Sequence, residues 1–242
     1  MAISLATRNM LTKVGVSTLT NCLLKRGLRN AFMHGVHPLS SDLPNMVGEA
    51  FTMRFIPSRE DLDNMAAYTS PAHVQRRAME ECPEGMVLVI DARGDARAAA
   101  AGDLLIGRLK ARGAAGIVTD GGYRDLPGIL KTGLPAYQRQ TASPATPIVH
   151  HAADLDLPIG CAGVAVYPRD VIVGDGEGVV VIPSHMADEV AHEAFEATMY
   201  EEFAEVEIAA GRSIFGLFPA TDESRAQYAV WRDKGTITPE AG

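Results

Sequence analysis

Two short stretches carry groups that can do chemistry: Gly102-Asp103-Leu104-Leu105, and Asp120-Gly121-Gly122-Tyr123-Arg124-Asp125. If a helix starts at Gly102, its first N–H groups have no intrahelical acceptor, and its dipole favours an anion at that end. Gly102, with no Cβ, lets a ligand come close. The second stretch follows an apolar run that reads as a strand, at the carboxyl end where α/β sheets bind ligands. Its glycine pair would permit backbone angles closed to other residues. Arg124 can form two parallel hydrogen bonds to a carboxylate, and Asp125 is a hard oxygen ligand suited to Mg²⁺ or Mn²⁺. Amides, guanidinium and a carboxylate-held cation are the parts needed to stabilise the enolate of an oxo-acid. Plainer readings compete: Asp103 as a charge serving its own helix dipole, and Asp125 as the N-cap of a helix at Leu126-Pro127.

The elements that would hold these groups follow from periodicity and punctuation. Apolar runs at 86–90, 116–119 and 135–137 read as strands. Between them, the alanines at 98–101 with Leu104, Leu105 and Leu109 have helical spacing closed by Gly113, and 126–131 reads as a short helix. This alternation predicts parallel β-α-β connections. Upstream, Ser17 and Gly27 frame an amphipathic helix, and 46–56 alternates in part as a strand does. Ser70-Pro71 would start a helix that must stop near Cys82, because Pro83 follows. Three short strands are expected at 163–167, 170–173 and 179–182, then a long helix from Ser184 to about 210. A last helix carrying Trp231 should pack on the core or on a neighbouring subunit, and 235–242 should fray. The expectation is one α/β domain over 1–242, a mixed β core flanked by helices, with a C-terminal helical extension at about 184–234.

Composition narrows the class. The 242 residues are 47% hydrophobic and 21% charged, which is ordinary globular usage. No apolar run reaches the roughly 18 residues that span a bilayer, and the opening MAISLATRNMLTKVG lacks a signal-peptide pattern, so neither membrane nor export is expected. A net charge of −8 disfavours non-specific nucleic-acid binding. Cys22, Cys82 and Cys161 are scattered without metal-site spacing, which fits a reducing cytoplasm. His150-His151, Asp175-Gly176-Glu177-Gly178 and the Arg76-Arg77 helix face read as structural or surface features, while Asp91 and Asp95 flank a glycine turn after a strand and fit either the same sheet edge or plain turn chemistry.

With Asp103, twenty intervening residues and then Arg124-Asp125, the chain resembles the RraA-like proteins, a group that includes 4-hydroxy-4-methyl-2-oxoglutarate aldolases. The resemblance runs through VST near the start, VLVIDARGD, GDLLIGRLKARGAAGIVTDGGYRD and CAGVAVYPRDVIVGDGEGVVVIP. REDLDNMAAYTSPAHVQRR and GRSIFGLFPATDE look like a longer subgroup. The resemblance implies a swivelling β/β/α fold and a metal-dependent lyase releasing pyruvate from 4-hydroxy-2-oxo acids, with oxaloacetate decarboxylation as a second activity. It implies that the amides of Gly102, Asp103, Leu104 and Leu105 hold the substrate carboxylate, that Arg124 contacts substrate, and that Asp125 holds Mg²⁺ or Mn²⁺. Arg124, Asp125 and Asp103 are the implied catalytic set. A trimer or dimer of trimers is implied, with an acidic residue from an adjacent subunit assisting; Glu193, Glu196, Glu201 and Glu202 are candidates, although each reads more readily as a solvated helix-face charge. The remote half of the substrate should meet loops around 57–73 and 138–151. The family also contains a ribonuclease inhibitor that acts by protein contact, so a non-catalytic regulator or an oxo-acid-binding protein is the alternative.

Overall fold

Ser4 opens the first helix of the computed structural model, which describes residues 3–40 and 42–235. Its hydroxyl accepts the Thr7 N–H at 3.0 Å, capping α1 (Leu5–Leu11). Helix α2 (Val16–Lys25) has Gly15 at its N-cap, two residues before the expected Ser17 cap. The Asp175 carboxylate, from a distant turn, accepts the Val16 N–H at 2.8 Å instead. At its other end Gly27 takes φ +84° as foreseen, and the Gly27 and Leu28 amides donate back to Leu24 and Leu23. Strands β1 (His37–Pro38) and β2 (Met46–Pro57) follow. Helix α3 (Val74–Glu81) begins after His73 rather than at Ser70-Pro71, because Ser70 folds a local turn, its hydroxyl accepting the Ala72 N–H at 3.2 Å. It stops at Cys82, before Pro83.

The central segment is where the elements become informative. Strand β3 (Val87–Asp91) leads to β4 (Ala99–Ala101) and α4 (Asp103–Ala111). Strand β5 (Gly116–Thr119) leads to β6 (Gly122–Tyr123) and α5 (Leu126–Thr132). Strand β7 (Ala136–Gln138) leads to β8 (Gln140–Thr141). The alanine run is therefore a buried strand and not the first turn of a helix. Ala99, Ala100 and Ala101 are small enough to be enclosed on both sides, and burial overrides their helix propensity. The chain continues with β9 (His150–Leu155), β10 (Ile159–Cys161), β11 (Val164–Val166), β12 (Val171–Gly174) and β13 (Val179–Ile182). It ends in α6 (Ala187–Ala209) and α7 (Asp222–Gly235). Ser184 lies in a 3-10 turn ahead of α6 and makes no side-chain cap.

The major sheet runs β1-β7-β5-β3-β2-β12-β13, with β9 also pairing β2. The β7-β5-β3-β2 pairings are parallel and the outer ones antiparallel. The sheet curls until Gly174 of β12 lies against the Tyr137 ring of β7, where an added Cβ would sit 2.7 Å from Cζ. All of β3 is buried because helices cover one face and strands fill the other. The smaller sheet, β4-β6-β8, is parallel and repeats the order of the strands that feed it. The architecture is thus mixed α/β with flanking helices. Helix α7 packs on α6 through Tyr200, Phe203, Tyr228 and Trp231. Residues 236–242, where fraying was expected, lie outside the described residues.

Candidate active site

The parallel pairing of β4 with β6 brings the two chemical stretches together. Both strands end at the same edge, one passing through Gly102 into α4, the other through Arg124-Asp125 into α5, and the Arg124 N–H donates to the Ala101 carbonyl at 3.1 Å. Gly102 is extended, with φ −128°, so its backbone does not require glycine. Its neighbours crowd it instead: an added Cβ would lie 2.9 Å from Asp125 Oδ2 and 3.2 Å from Arg124 Cγ and Nε, so those side chains would have to shift. Asp125 occupies the N-cap position of α5 in the left-handed region, φ +61° and ψ +39°, yet makes no side-chain cap bond. Its carboxylate faces the Gly102 turn, 3.3 Å from Arg124 Nε, with Arg124 and Asp125 45% and 50% exposed. Holding a non-glycine residue there costs on the order of 1 kcal/mol.

Asp103 is the first residue of α4, and its Oδ1 accepts the Leu104 N–H at 2.7 Å. One of the four amides expected to face a ligand is therefore occupied by the helix's own acid. Leu104 is 86% exposed, whereas Leu105 packs partly on the core. The Ile106 N–H already donates to the Gly102 carbonyl, so only the amides before it precede the helical ladder. Gly128 of α5 lies against the Asp103 carboxylate, with no space there for a side chain.

These residues line a cavity of about 230 Å³. Its other wall comes from Met65, Tyr68, Gln75 and Arg76 and from residues 145–147. The loops around 57–73 and 138–151 do border it, as expected, but Gln75 and Arg76 lie beyond the first of these. Gln75 is buried and donates to the Ala100 carbonyl at 2.7 Å, and Thr146 Oγ1 donates to the Ala99 carbonyl at 2.7 Å, fixing β4 from the cavity side. The Tyr68 phenol is pushed up to about 12, mainly by burial, with Asp63 raising it further and Arg76 opposing. A helix-face arginine and a tyrosine in a loop give no sequence signal of a shared cavity.

Several neighbouring groups have other tasks. Asp120 is buried: Oδ1 accepts the Ala92 N–H at 2.7 Å, and Oδ2 accepts the Gly94 and Ala162 N–H groups at 2.8 and 3.1 Å. Neither Gly121 nor Gly122 adopts positive φ. They are glycine for space, since a Cβ on Gly121 would meet Ala92 Cβ at 2.6 Å and one on Gly122 would collide with the Gln140 carbonyl. His150 is fully buried and stacked on Phe55 at 4.8 Å, and burial lowers its pKa. Asp91 accepts the Arg93 N–H, and Asp95 pairs with Arg97, which holds its carboxyl down at about 2. Glu193 is tied to Lys25 and Arg26, and Glu196 to Arg232. With Glu201 they line a different cavity; Glu202 is not among the residues lining the site.

Among the described residues no group of three or more His, Cys, Asp or Glu side chains could enclose a metal ion. A single exposed carboxylate that makes no cap bond and opens onto a cavity still suits Mg²⁺, which keeps several waters and takes one or two protein carboxylates. The residues present therefore fit a one-carboxylate site at Asp125.

Comparison with known proteins gives a consistent result. A family model described as RraA-like, Aldolase/RraA, matches residues 16–181. A Halalkalibacterium halodurans protein provisionally named a 4-hydroxy-4-methyl-2-oxoglutarate aldolase is 41% identical over 121 residues, which are 49% of this chain and 56% of that protein. The matched stretch thus spans little more than half of that curated relative. The crystal structure of Streptomyces coelicolor RraAS2, described as an unusual member of the RNase ES inhibitor RraA protein family, superposes with a TM-score of 0.72 at 31% identity, covering 85% of this chain and 98% of that one. An uncharacterized protein from Pseudomonas syringae pv. tomato shares the fold, with a TM-score of 0.77 at 21% identity over 90% of this chain and 98% of its own. No helix among the described residues is long and apolar enough to cross a membrane.

Proposed function

The chain belongs to the RraA-like family, and from that premise we propose that it is a divalent-metal-dependent C–C lyase acting on 2-oxo acids in the cytoplasm. Its reaction is retro-aldol cleavage of a 4-hydroxy-2-oxo acid to release pyruvate, with oxaloacetate decarboxylation as a second activity through the same enolate. The observation that carries this reading is the Asp125 carboxylate, withheld from its own helix cap and turned into the Gly102 turn beside Arg124. A strained residue that declines its structural bond is a mark of a functional position.

In this mechanism the free amides at the start of α4 hold the substrate carboxylate, and Gly102 leaves room for it. Arg124 steadies the oxygen that gains charge as the C–C bond breaks. Asp103 keeps its own helix start in register by holding the Leu104 N–H. Asp125 would hold Mg²⁺ or Mn²⁺, which when bound supplies Lewis-acid polarisation of the carbonyl. Among the described residues no lysine lines the cavity, so these residues do not favour a Schiff-base route. A homo-oligomer, a trimer or dimer of trimers, is part of the proposal, and Leu104 and Met65, exposed at the cavity rim, suit coverage by another copy.

The test is pyruvate release from 4-hydroxy-4-methyl-2-oxoglutarate and from oxaloacetate. Chelation with EDTA should abolish it, and added Mg²⁺ or Mn²⁺ should restore it. Turnover that persists after exhaustive chelation refutes the metal-dependent reading. The relationship to the Streptomyces protein supports a second reading, a non-catalytic regulator of a ribonuclease. Capture of a ribonuclease, together with no turnover of either oxo-acid, would favour it.

A further inference from the structure

The segment that joins β2 to α3 is tied down at its ends and at one point between them. Ser58 still belongs to the sheet: its N–H donates to the Val149 carbonyl at 2.9 Å and its hydroxyl to the Ile148 carbonyl at 3.2 Å. At the far end α3 is fixed by Gln75, which donates to the Ala100 carbonyl of β4. Between these anchors the chain bonds to itself. The Arg59 carbonyl accepts the Leu62 and Asp63 N–H groups, and the Asn64, Ala66, Ala67 and Ser70 carbonyls accept those of Ala67, Thr69, Ser70 and His73. Arg59 pairs with Asp61, and the Tyr68 ring stacks on His73 at 4.2 Å. The His73 carbonyl accepts the Arg77 N–H as α3 begins. Otherwise, among the described residues, one hydrogen bond or ion pair leaves 59–73: Asp63 Oδ1 meets His151 Nδ1, on β9, at 2.7 Å.

Asp63 is also the one buried residue of 59–73. Its Oδ2 accepts the Arg59 N–H at 2.8 Å, closing a tight turn that presents Oδ1 to the imidazole. Met65 and Tyr68, just beyond this turn, line the cavity beside Gly102, whereas Asp63 and His151 do not. A segment with so few bonds to its surroundings lies at the low end of local stability, and a buried hydrogen bond to a charged group is then decisive for its position. We infer that residues 59–73 are a flap over the candidate cavity, hinged at Ser58 and His73 and latched by the Asp63–His151 pair. The two latch residues are positioning residues: they hold Met65 and Tyr68 in the cavity wall without touching a ligand. The function given to the flap rests on the site proposed above.

Hydrogen exchange on the full chain, without ligand, reads the latch directly. The amides of Asp63, Ala67, Thr69, Ser70 and His73 are bonded only inside the segment. His151→Ala should speed their exchange by about ten- to hundredfold, the worth of a hydrogen bond to a charged group, with β3 amides within about twofold of wild type. His151→Asn, whose side-chain N–H can donate in place of Nδ1, should restore most of the protection. Exchange left unchanged by His151→Ala, exchange accelerated equally in β3, or an asparagine variant as fast as the alanine one would overturn the inference. Steady-state pyruvate release then reads the wall. Unlatching lowers the fraction of molecules competent to bind, so His151→Ala should raise KM by about threefold or more with kcat within about twofold. A fall in kcat at unchanged KM would also overturn the inference. If the wild-type chain releases no pyruvate, the lyase reading fails, and the exchange experiment still decides the flap.

Discussion

Gly102→Ala separates the site from the fold more cleanly than removal of a charged residue. The added Cβ would lie 2.9 Å from Asp125 Oδ2, where ordinary contact begins at 3.4 Å, so the carboxylate must retreat by about half an ångström. It can do so at little cost, because Asp125 makes no cap bond and is half exposed. The glycine's own backbone is extended, so alanine meets no conformational barrier. Alanine is a worse N-cap than glycine by about 0.5 kcal/mol, and lowering unfolded-state entropy returns a similar amount. The melting temperature should therefore move by less than about 4 °C. Activity should respond differently. A displacement of about 1 Å at reacting groups costs roughly 100-fold, so half of that predicts a fall in kcat/KM of about tenfold. The assay is steady-state pyruvate release beside a thermal melt of the same preparation. A variant within about threefold of wild-type activity would refute the reasoning, and so would a fall of more than about 8 °C in Tm, since either outcome removes Asp125 and Gly102 from a shared functional contact.

Two further substitutions probe the same edge from opposite sides. Asp125→Gly removes the carboxylate while relieving the left-handed strain, so turnover should vanish with Tm at or above the wild-type value, as read by differential scanning calorimetry. Asp120→Ala leaves three backbone N–H groups of Ala92, Gly94 and Ala162 without their acceptor. It should cost about 2–5 kcal/mol in urea unfolding, with pyruvate release per folded molecule retained.

The sequence made the strands at 86–90, 116–119 and 179–182 legible because each is a short branched-apolar run buried on both faces. Helix ends were less legible. Ser17, Ser70 and Ser184 all have a cap's chemistry, but in two cases a tertiary or local competitor took the role: Asp175 reaches the start of α2 from another turn, and Ser70 spends its hydroxyl on Ala72. Alanines 98–101 looked helical because propensity is a local quantity, whereas their strand pairing is a non-local one. The cluster Gly102, Arg124 and Asp125 was visible as residue types, and the structure brings them into contact through the small sheet. Asp120 sits in the same motif, yet its role could not be separated from theirs, since nothing local reveals that three distant amides converge on it. Tyr68 and Arg76 were hidden for the same reason, because the wall they form exists only once β4 docks beneath Gln75.

Size alone would direct attention elsewhere. A cavity of about 590 Å³ lies between α2, α6 and the C-terminal segment, more than twice the volume at Gly102. The charges around it are largely spent on one another: Lys25 and Arg26 hold Glu193, Arg232 holds Glu196, and the Thr18 hydroxyl faces Glu201 at 3.4 Å. Mutual neutralisation leaves little electrostatic free energy for a ligand, and breaking such pairs would oppose binding. The smaller cavity differs in its acid, since a buried phenol without a hydrogen-bond partner, Tyr228, lines the larger one too. Its aspartate forgoes a helix cap, its phenol lacks an acceptor, and one of its arginines has no carboxylate partner among the described residues. A carboxylate held in left-handed backbone and withheld from its own helix cap raises the free energy of the empty protein, which is the physical reason to propose function in the lesser volume.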